Sequence, residues 1–345
     1  MKNILKIVFV IIATLIGAGF ASGKEIYSFF FIYGIKGILG IFISSFLISL
    51  VSYKVLKICY NNNIESYQAF CDYIIIQKFP NQDSKFVEKI SKFINNMINI
   101  LLLITFYIMI SGFSSFLHQE FCINRVIGSI IIAILCFIAF QKNINGLIKI
   151  SNYLVPILMF FLLYISAKNV DFINNYNNIK NLFINNSVFF PIIKAILYGS
   201  YNCILLIPVL VTLKKLLIKF NNIFFISISV FFAVSILSIS VYNILLLGNW
   251  KIFILEMPII QIIKMYGNVL KLIYLFLIGS SIYTTALSAG CAFLNGCKKI
   301  NYKRNVALVC MTAIFFSQIS FSAFVNLLYP VLGIIGLFEV IAILK

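Results

Sequence analysis

The sequence predicts an all-α polytopic membrane protein of ten transmembrane helices, arranged as two inverted halves of five. Three observations lead there. Of 345 residues, 62% are hydrophobic and only 10% charged, with a mean hydropathy of +1.06, far from the roughly half-apolar, quarter-charged mix of a water-soluble domain. The apolar residues fall in runs of ~20, the length that crosses a hydrocarbon core of ~30 Å. Most of the 27 Lys and Arg residues gather on alternate connections between those runs, as the cytoplasmic side of a bilayer requires.

This composition excludes a soluble globular chain, and disorder as well, because disorder needs low hydrophobicity. The formal net charge of +18 is therefore a topology signal, and no nucleic-acid partner is expected. The eight cysteines (Cys59, Cys71, Cys122, Cys136, Cys203, Cys291, Cys297, Cys310) are scattered, without zinc-ligand spacing, and His118 is the single histidine. Neither a metal centre nor a disulfide framework is expected. The thiols read as small hydrophobes.

The runs cover 4–32, 37–57, 90–117, 125–141, 147–167, 188–213, 222–247, 267–295, 305–320 and 323–343. The first continues past Gly23 without a cleavage site, so it reads as a span and not as a signal peptide. With the N-terminus inside, Lys2, Lys6, Lys54, Lys57, Lys78, Lys85, Lys89, Lys92, Lys142, Lys149, Lys214, Lys215, Lys219, Lys298, Lys299, Lys303, Arg304 and Lys345 are cytoplasmic, against Lys36, Arg125, Lys168, Lys180, Lys194, Lys251, Lys264 and Lys271 outside. Both termini are then cytoplasmic, and the chain is expected in a plasma membrane. Segment 58–89, with Pro80, Asp83 and Glu88, is a polar cytoplasmic connection. Segment 168–187 is Asn-rich and external, and divides the chain into repeats 1–169 and 170–345. Five spans are an odd number, so the two repeats lie in opposite orientations, a recurring transporter plan. Segment 248–266, interrupted by Lys251, Glu256, Pro258 and Lys264, is too broken to span and suits an interfacial or re-entrant helix capping an outward-facing cavity.

The most informative stretch lies inside the first span: Ile16-Gly17-Ala18-Gly19-Phe20-Ala21-Ser22-Gly23-Lys24-Glu25. Glycine in a helix interior costs ~1 kcal/mol relative to Ala, and a charge at bilayer depth ~2.5–3.5 kcal/mol on insertion scales. An unwound stretch facing a cavity accounts for both, because irregular backbone at that depth is tolerated only where it is buried or hydrated. Close helix packing through small residues is an alternative for Gly19 and Gly23, four apart, but leaves Lys24 and Glu25 unexplained. The matching span of the second half carries Leu197-Tyr198-Gly199-Ser200-Tyr201-Asn202 between Pro191 and Pro208. Matched interruptions of this kind point to a transporter site, with helices 1 and 6 broken near the midplane; tyrosines at helix contacts beside a tolerated glycine are the alternative.

These segments, IGAGFASGKE and LYGSYN, with ten spans overall, resemble the YkvI-type bacterial membrane proteins and, more distantly, the amino acid, polyamine and organocation carrier superfamily with the LeuT-type fold. The resemblance implies a substrate site at the breaks in helices 1 and 6, completed by helices 3 and 8. It places the backbone of Gly17, Ala18 and Gly19 on a substrate carboxylate, with Phe20, Ala21, Ser22, Gly23, Tyr198, Gly199, Ser200, Tyr201 and Asn202 around the pocket and the Tyr107 hydroxyl over the substrate. It also implies an ion site of Ala13 and Ile16 carbonyls with hydroxyls of the eighth helix. There Ser281, Thr284, Thr285 and Ser288 share one face by their i, i+3, i+4 and i+7 spacing. Bonding of these hydroxyls to their own i−4 carbonyls is the alternative.

No cofactor is expected beyond Na+ or H+ as coupling ion. The resemblance implies that a proton-coupled carrier replaces sodium with a lysine inside the fifth span; here that span holds Pro156, with Lys149 only towards its cytoplasmic end, which favours sodium. Lys24 and Glu25 remain candidates for a proton-responsive or gating pair. Glu339, and His118 beside Glu120, read as structural. The expected function is secondary transport of a small solute, an amino acid or related amine, with no catalysis: no Walker motif and no nucleophile–base constellation is present. A transporter-like receptor that binds the solute without moving it fits the same residues.

Overall fold

The computed structural model describes residues 2–79, 84–141, 145–169, 171–183, 189–217, 220–296 and 302–345. Pro80, Asp83, Lys142, Val170 and Cys297, which figure in the reading above, lie outside the described residues. Helices stand at each of the ten intervals read from the sequence. The first span is split into α1 (Lys2–Leu15), α2 (Ala18–Ser22) and α3 (Lys24–Phe29). Then come α4 (Ile35–Asn61), the short α5 (Tyr67–Lys78), α6 (Ser84–Phe121), α7 (Arg125–Gln141) and α8 (Asn145–Lys168). The second half has the short α9 (Phe172–Ile179), then α10 (Phe189–Leu213), α11 (Asn221–Leu245), the short α12 (Trp250–Ile254) and α13 (Pro258–Lys264), α14 (Asn268–Gly296) and α15 (Tyr302–Phe316). The tenth span joins α16 (Phe321–Ala323), a π turn (Phe324–Leu328) and α17 (Tyr329–Leu344). Six of these stretches are long and apolar enough to cross a membrane on length and composition alone.

The helices exist because each run is apolar all round, and a backbone in hydrocarbon has to satisfy its own N–H and C=O groups. Phenylalanines such as Phe46, Phe160, Phe276, Phe315 and Phe338 stand exposed on the outside, a surface that suits lipid and not water.

Packing sorts the helices into two groups that cut across the sequence halves. In one, α1 packs on α10 and α11, α4 on the same two helices, and α17 on α10. In the other, α6 packs on α7 and α14, and α7 on α15. Thus spans 1 and 2 pair with 6 and 7, and spans 3 and 4 with 8 and 9. The helix α8 and the short α13 each touch helices of both groups.

Small residues set these contacts. A Cβ on Gly333 would lie 2.5 Å from the Leu197 carbonyl oxygen, and one on Gly336 would strike that of Ser200. Gly199 faces α4, where a Cβ would sit 2.9 Å from the Leu47 side chain. These glycines let α17, α10 and α4 approach at backbone distance.

The expected break in the sixth helix is not there. Residues Tyr198 to Asn202 lie within the unbroken α10, and Asn202 Nδ2 donates to the Tyr198 carbonyl one turn back at 2.9 Å. Gly199 is used for close packing, so the polar residues need no unwound backbone to face inward. Pro208 is also accommodated inside α10. The tenth span is irregular instead, through its π turn, a feature that recurs at functional sites.

Candidate functional site: the interrupted first helix

The first helix is interrupted twice. After Leu15 the chain leaves helical geometry at Ile16 and Gly17, whose φ of −94° and ψ of −172° are extended. Six residues later Gly23 turns left-handed at φ +81°, a conformation that L side chains avoid. A Cβ there would also lie 2.7 Å from Ile259 of α13. Two short helices thus replace one continuous helix in the middle of the protein: Ala18, Gly19, Phe20, Ala21 and Ser22 are all buried. A Cβ on Gly17 would meet nothing within 4 Å.

Beside this break lies a cavity of about 10 Å³ bounded by Ile12, Leu15, Ile16, Phe20, Ile48, Tyr198, Asn202, Val234 and Leu237. It brings the first helix together with Tyr198 and Asn202, as the resemblance implies. It holds one water at most, so this conformation is closed around the break. A larger cavity, about 480 Å³, lies elsewhere, between α5, α6, α10 and α17, and its walls are almost wholly apolar. Glu339 reaches that cavity, and Tyr67 donates to its carboxylate at 2.8 Å from α5.

The two charges after the break part company. Lys24, 4% exposed, donates from Nζ to the carbonyls of Phe253 (3.0 Å) and Leu255 (2.9 Å) at the end of α12. Its ammonium also lies 5.6 Å from the centre of the Tyr27 ring. Glu25, 1% exposed, turns the other way. Its Oε1 accepts from the Tyr201 hydroxyl at 3.1 Å, the hydroxyls of Tyr198 and Tyr329 also face the carboxyl, and Oε2 has no hydrogen-bond partner. Tyr201 stacks on Tyr329 with centroids 4.5 Å apart and meets Tyr198 edge-on at 5.8 Å. Lys24 and Glu25 therefore do not form a pair with each other.

Ser22 is spent locally: its hydroxyl donates to the Gly19 carbonyl at 3.0 Å and accepts from Lys24 N at 3.2 Å. The Ala21 carbonyl accepts from Tyr274 of α14. Ser200 Oγ is buried without a partner.

The structure takes Tyr107 to other neighbours. Its hydroxyl is 2.7 Å from Thr312 Oγ1 and its ring stacks on Phe316, both on α15. On α14, Thr284 and Thr285 donate to the Ser281 carbonyl at 3.1 and 2.8 Å, and Ser288 to that of Thr284 at 2.9 Å, the i−3 and i−4 pattern. Ser281 Oγ is buried and unpartnered. Ala13 is half-buried and Ile16 buried, on α1 and at its end. Among the described residues no group of three or more His, Cys, Asp or Glu is placed to hold a metal ion.

The 248–266 segment forms α12 and α13 and is clamped to the bundle at the end of the first span away from the N-terminus. Glu256 accepts from Arg125 Nη2 at 3.2 Å, and from both the amide and the hydroxyl of Ser322 at 2.7 Å. Gln119 donates to the Met257 carbonyl at 3.1 Å and accepts from its amide at 2.9 Å. Lys271 pairs with Glu120 at 2.6 Å, and Gln261 donates to Glu120 at 3.1 Å. His118 Nδ1 is 3.1 Å from the Ile123 carbonyl oxygen and takes no part.

Sequence reasoning missed Tyr329, Tyr274 and the clamp. The available signal was scarcity: with only nine Asp and Glu in the chain, Glu120 and Glu256 each had to have a partner.

The chain is a polytopic α-helical membrane protein with an interrupted first helix. No family model matches it. It is 25% identical over 345 residues to the uncharacterized membrane protein YkvI of Bacillus subtilis (strain 168), covering 96% of this chain and 92% of the relative. It is 23% identical to the uncharacterized protein YyaD of the same organism, covering 99% and 96%. Among solved structures it is similar to the manganese transporter of Eremococcus coleocola, crystallised with an aromatic bis-isothiourea substituted compound, at 11% identity and TM-score 0.44, covering 98% of this chain and 70% of that one. A mutant of that transporter gives a TM-score of 0.43. So low a superposition fixes neither the arrangement of the helices nor a cargo.

Proposed function

We propose that this protein is a secondary active transporter of a small organic solute, an amino acid or related amine, working by ion-coupled alternating access in a bacterial plasma membrane with both termini cytoplasmic. The observation that carries the reading is the double interruption of the first helix at Gly17 and Gly23 in the buried centre, beside a cavity shared with Tyr198 and Asn202. A membrane protein bears the cost of irregular backbone at that depth where the backbone lines a site.

Two further features support it. The packing groups pair spans 1 and 2 with 6 and 7, and 3 and 4 with 8 and 9, as two inverted repeats in a LeuT-like arrangement do. The clamp ties α12 and α13 across the end of the first span, the place for an element that opens and closes one face in alternating access. In this reading the solute carboxylate meets the amides of Ala18 and Gly19, because the first amides of a helix lack internal acceptors, while the Gly17 amide is held by the Leu15 carbonyl at 3.1 Å. Phe20, Tyr198 and Asn202 shape the pocket once it has opened beyond its present volume.

The test is the thermal stability of the detergent-purified protein against a panel of amino acids and amines. A ligand that binds only the folded state raises the melting temperature by mass action. A shift from one compound class identifies the solute, and its uptake into proteoliposomes separates a carrier from a receptor. No shift from any amino acid or amine removes the proposed solute class.

A further inference from the structure

Glu25 sits in a cage. Its side chain is 1% exposed. It rests on Gly19 so closely that a Cβ there would lie 2.6 Å from Glu25 Cδ, and three tyrosines close the other sides: Tyr198 and Tyr201 from α10, and Tyr329 from α17. One oxygen takes the Tyr201 hydroxyl; the other takes nothing. A buried carboxylate oxygen without a donor is costly, because the charge loses its water with nothing to replace it.

No cation compensates it among the described residues, since none of the ion pairs includes Glu25. The groups on every neighbouring element are accounted for. Lys24, next to it on α3, is held by two carbonyls near α12. Lys194 of α10 lies over the Phe29 ring, 5.6 Å from its centre. Tyr242 of α11 faces Phe31, with centroids 5.1 Å apart. On the π turn, Asn326 accepts from Ser28 at 2.8 Å. A sodium ion or a solute ammonium needs room against the carboxylate, and none of the cavities beside the helix break, at the start of α10 or beside α5 has Glu25 in its wall. A proton needs no such room. Placed on Oε2 it turns the orphan acceptor into a donor, with tyrosine oxygens beside it as acceptors.

We infer that Glu25 carries the coupling proton: the caged carboxyl is protonated in this closed conformation and gives its proton to water when α3 and α10 separate. The step is a plain proton transfer, carboxylic acid to water, and it rests on the carrier reading above.

Infrared difference spectroscopy of the full-length protein in liposomes tests the protonation, and uptake of a radiolabelled amino acid mixture under an imposed pH or sodium gradient tests the coupling. The expected result is a carboxylic-acid carbonyl band at neutral pH that is lost in Glu25→Gln. Wild-type uptake should follow an inward proton gradient, and Glu25→Gln should lose that drive while still exchanging labelled for unlabelled solute. A band unchanged in Glu25→Gln, or uptake that follows sodium and ignores pH, overturns the assignment and leaves the carrier intact. Uptake under neither gradient overturns the carrier reading, and the coupling role with it, whether or not the band is present. Should Glu25→Gln fail to insert, Tyr201→Phe removes the hydroxyl that donates to Glu25 Oε1 and is expected to shift the frequency of the carboxylic-acid carbonyl band; an unshifted band overturns the cage.

Discussion

Gly19 and Glu25 share one space: the carboxyl of Glu25 lies where any side chain at position 19 would begin, with Glu25 Cδ 2.6 Å and Cγ 2.7 Å from an added Cβ. The glycine in the first span is thus the complement of the acid six residues later. Gly19→Ala should destabilise the purified protein by about 1–3 kcal/mol, the usual range for overpacking. Glu25→Ala combined with it should recover most of that loss, because contacting residues do not add. Thermal melts of the two single variants and the double variant check this. Strict additivity would mean that the two do not meet.

Gly336 and Gly333 of α17 face backbone, not side chain. The obstacles are the carbonyl oxygens of Ser200 and Leu197, which have no rotamer into which to retreat. Gly336→Ala is therefore expected to cost more than Gly19→Ala, about 2 kcal/mol or more, in the range of severe core substitutions. Melting in detergent reads this directly, and a cost below that of Gly19→Ala would place the α10–α17 contact further apart than described.

Glu256 holds three donors from two elements at once: Arg125 Nη2, and the amide and hydroxyl of Ser322. Glu256→Ala should loosen α12 and α13 locally without unfolding the bundle, since a hydrogen bond to a charged group contributes about 1.5–3 kcal/mol and local opening needs less than global unfolding. Limited trypsin digestion at the exposed Lys251 and Lys264 should then be faster than in the wild type. Equal cleavage rates would show that the clamp does not hold this segment.

Thr285 donates to the Ser281 carbonyl of its own helix at 2.8 Å. Thr285→Ala removes an internal bond of modest net value, about 0.5–1.5 kcal/mol, and should leave gradient-driven uptake unchanged if the proton on Glu25 is the coupling ion. Loss of sodium-dependent uptake in this variant would restore the hydroxyl face of α14 as an ion site.

Much of the fold was legible because hydrocarbon imposes a simple rule. A run of ~20 apolar residues has one stable backbone form there, and the helices stand where those runs stand. The interruption at Gly17 to Gly23 was legible for the same reason: glycines and charges in such a run carry a cost that has to be met by tertiary contacts. The sixth span showed the limit of this reasoning. Gly199 and its polar neighbours present the same signature as the first span, yet α10 is continuous. A glycine that opens the backbone and a glycine that admits a neighbouring helix look alike until Leu47 and Ser44 are seen beside it.

By itself, the sequence determined that the chain crosses a membrane as helices, where those helices run, and that its first helix is irregular in the middle. Only the tertiary structure decided that Lys24 reaches α12 while Glu25 enters a cage of Tyr198, Tyr201 and Tyr329. It also decided that Tyr107 faces α15 and that Glu256 ties α16 to the clamp. Hydropathy and propensity act along the chain within a few turns, so they fix helices. Which buried polar groups meet depends on helix rotation and crossing, set by contacts between residues more than a hundred positions apart.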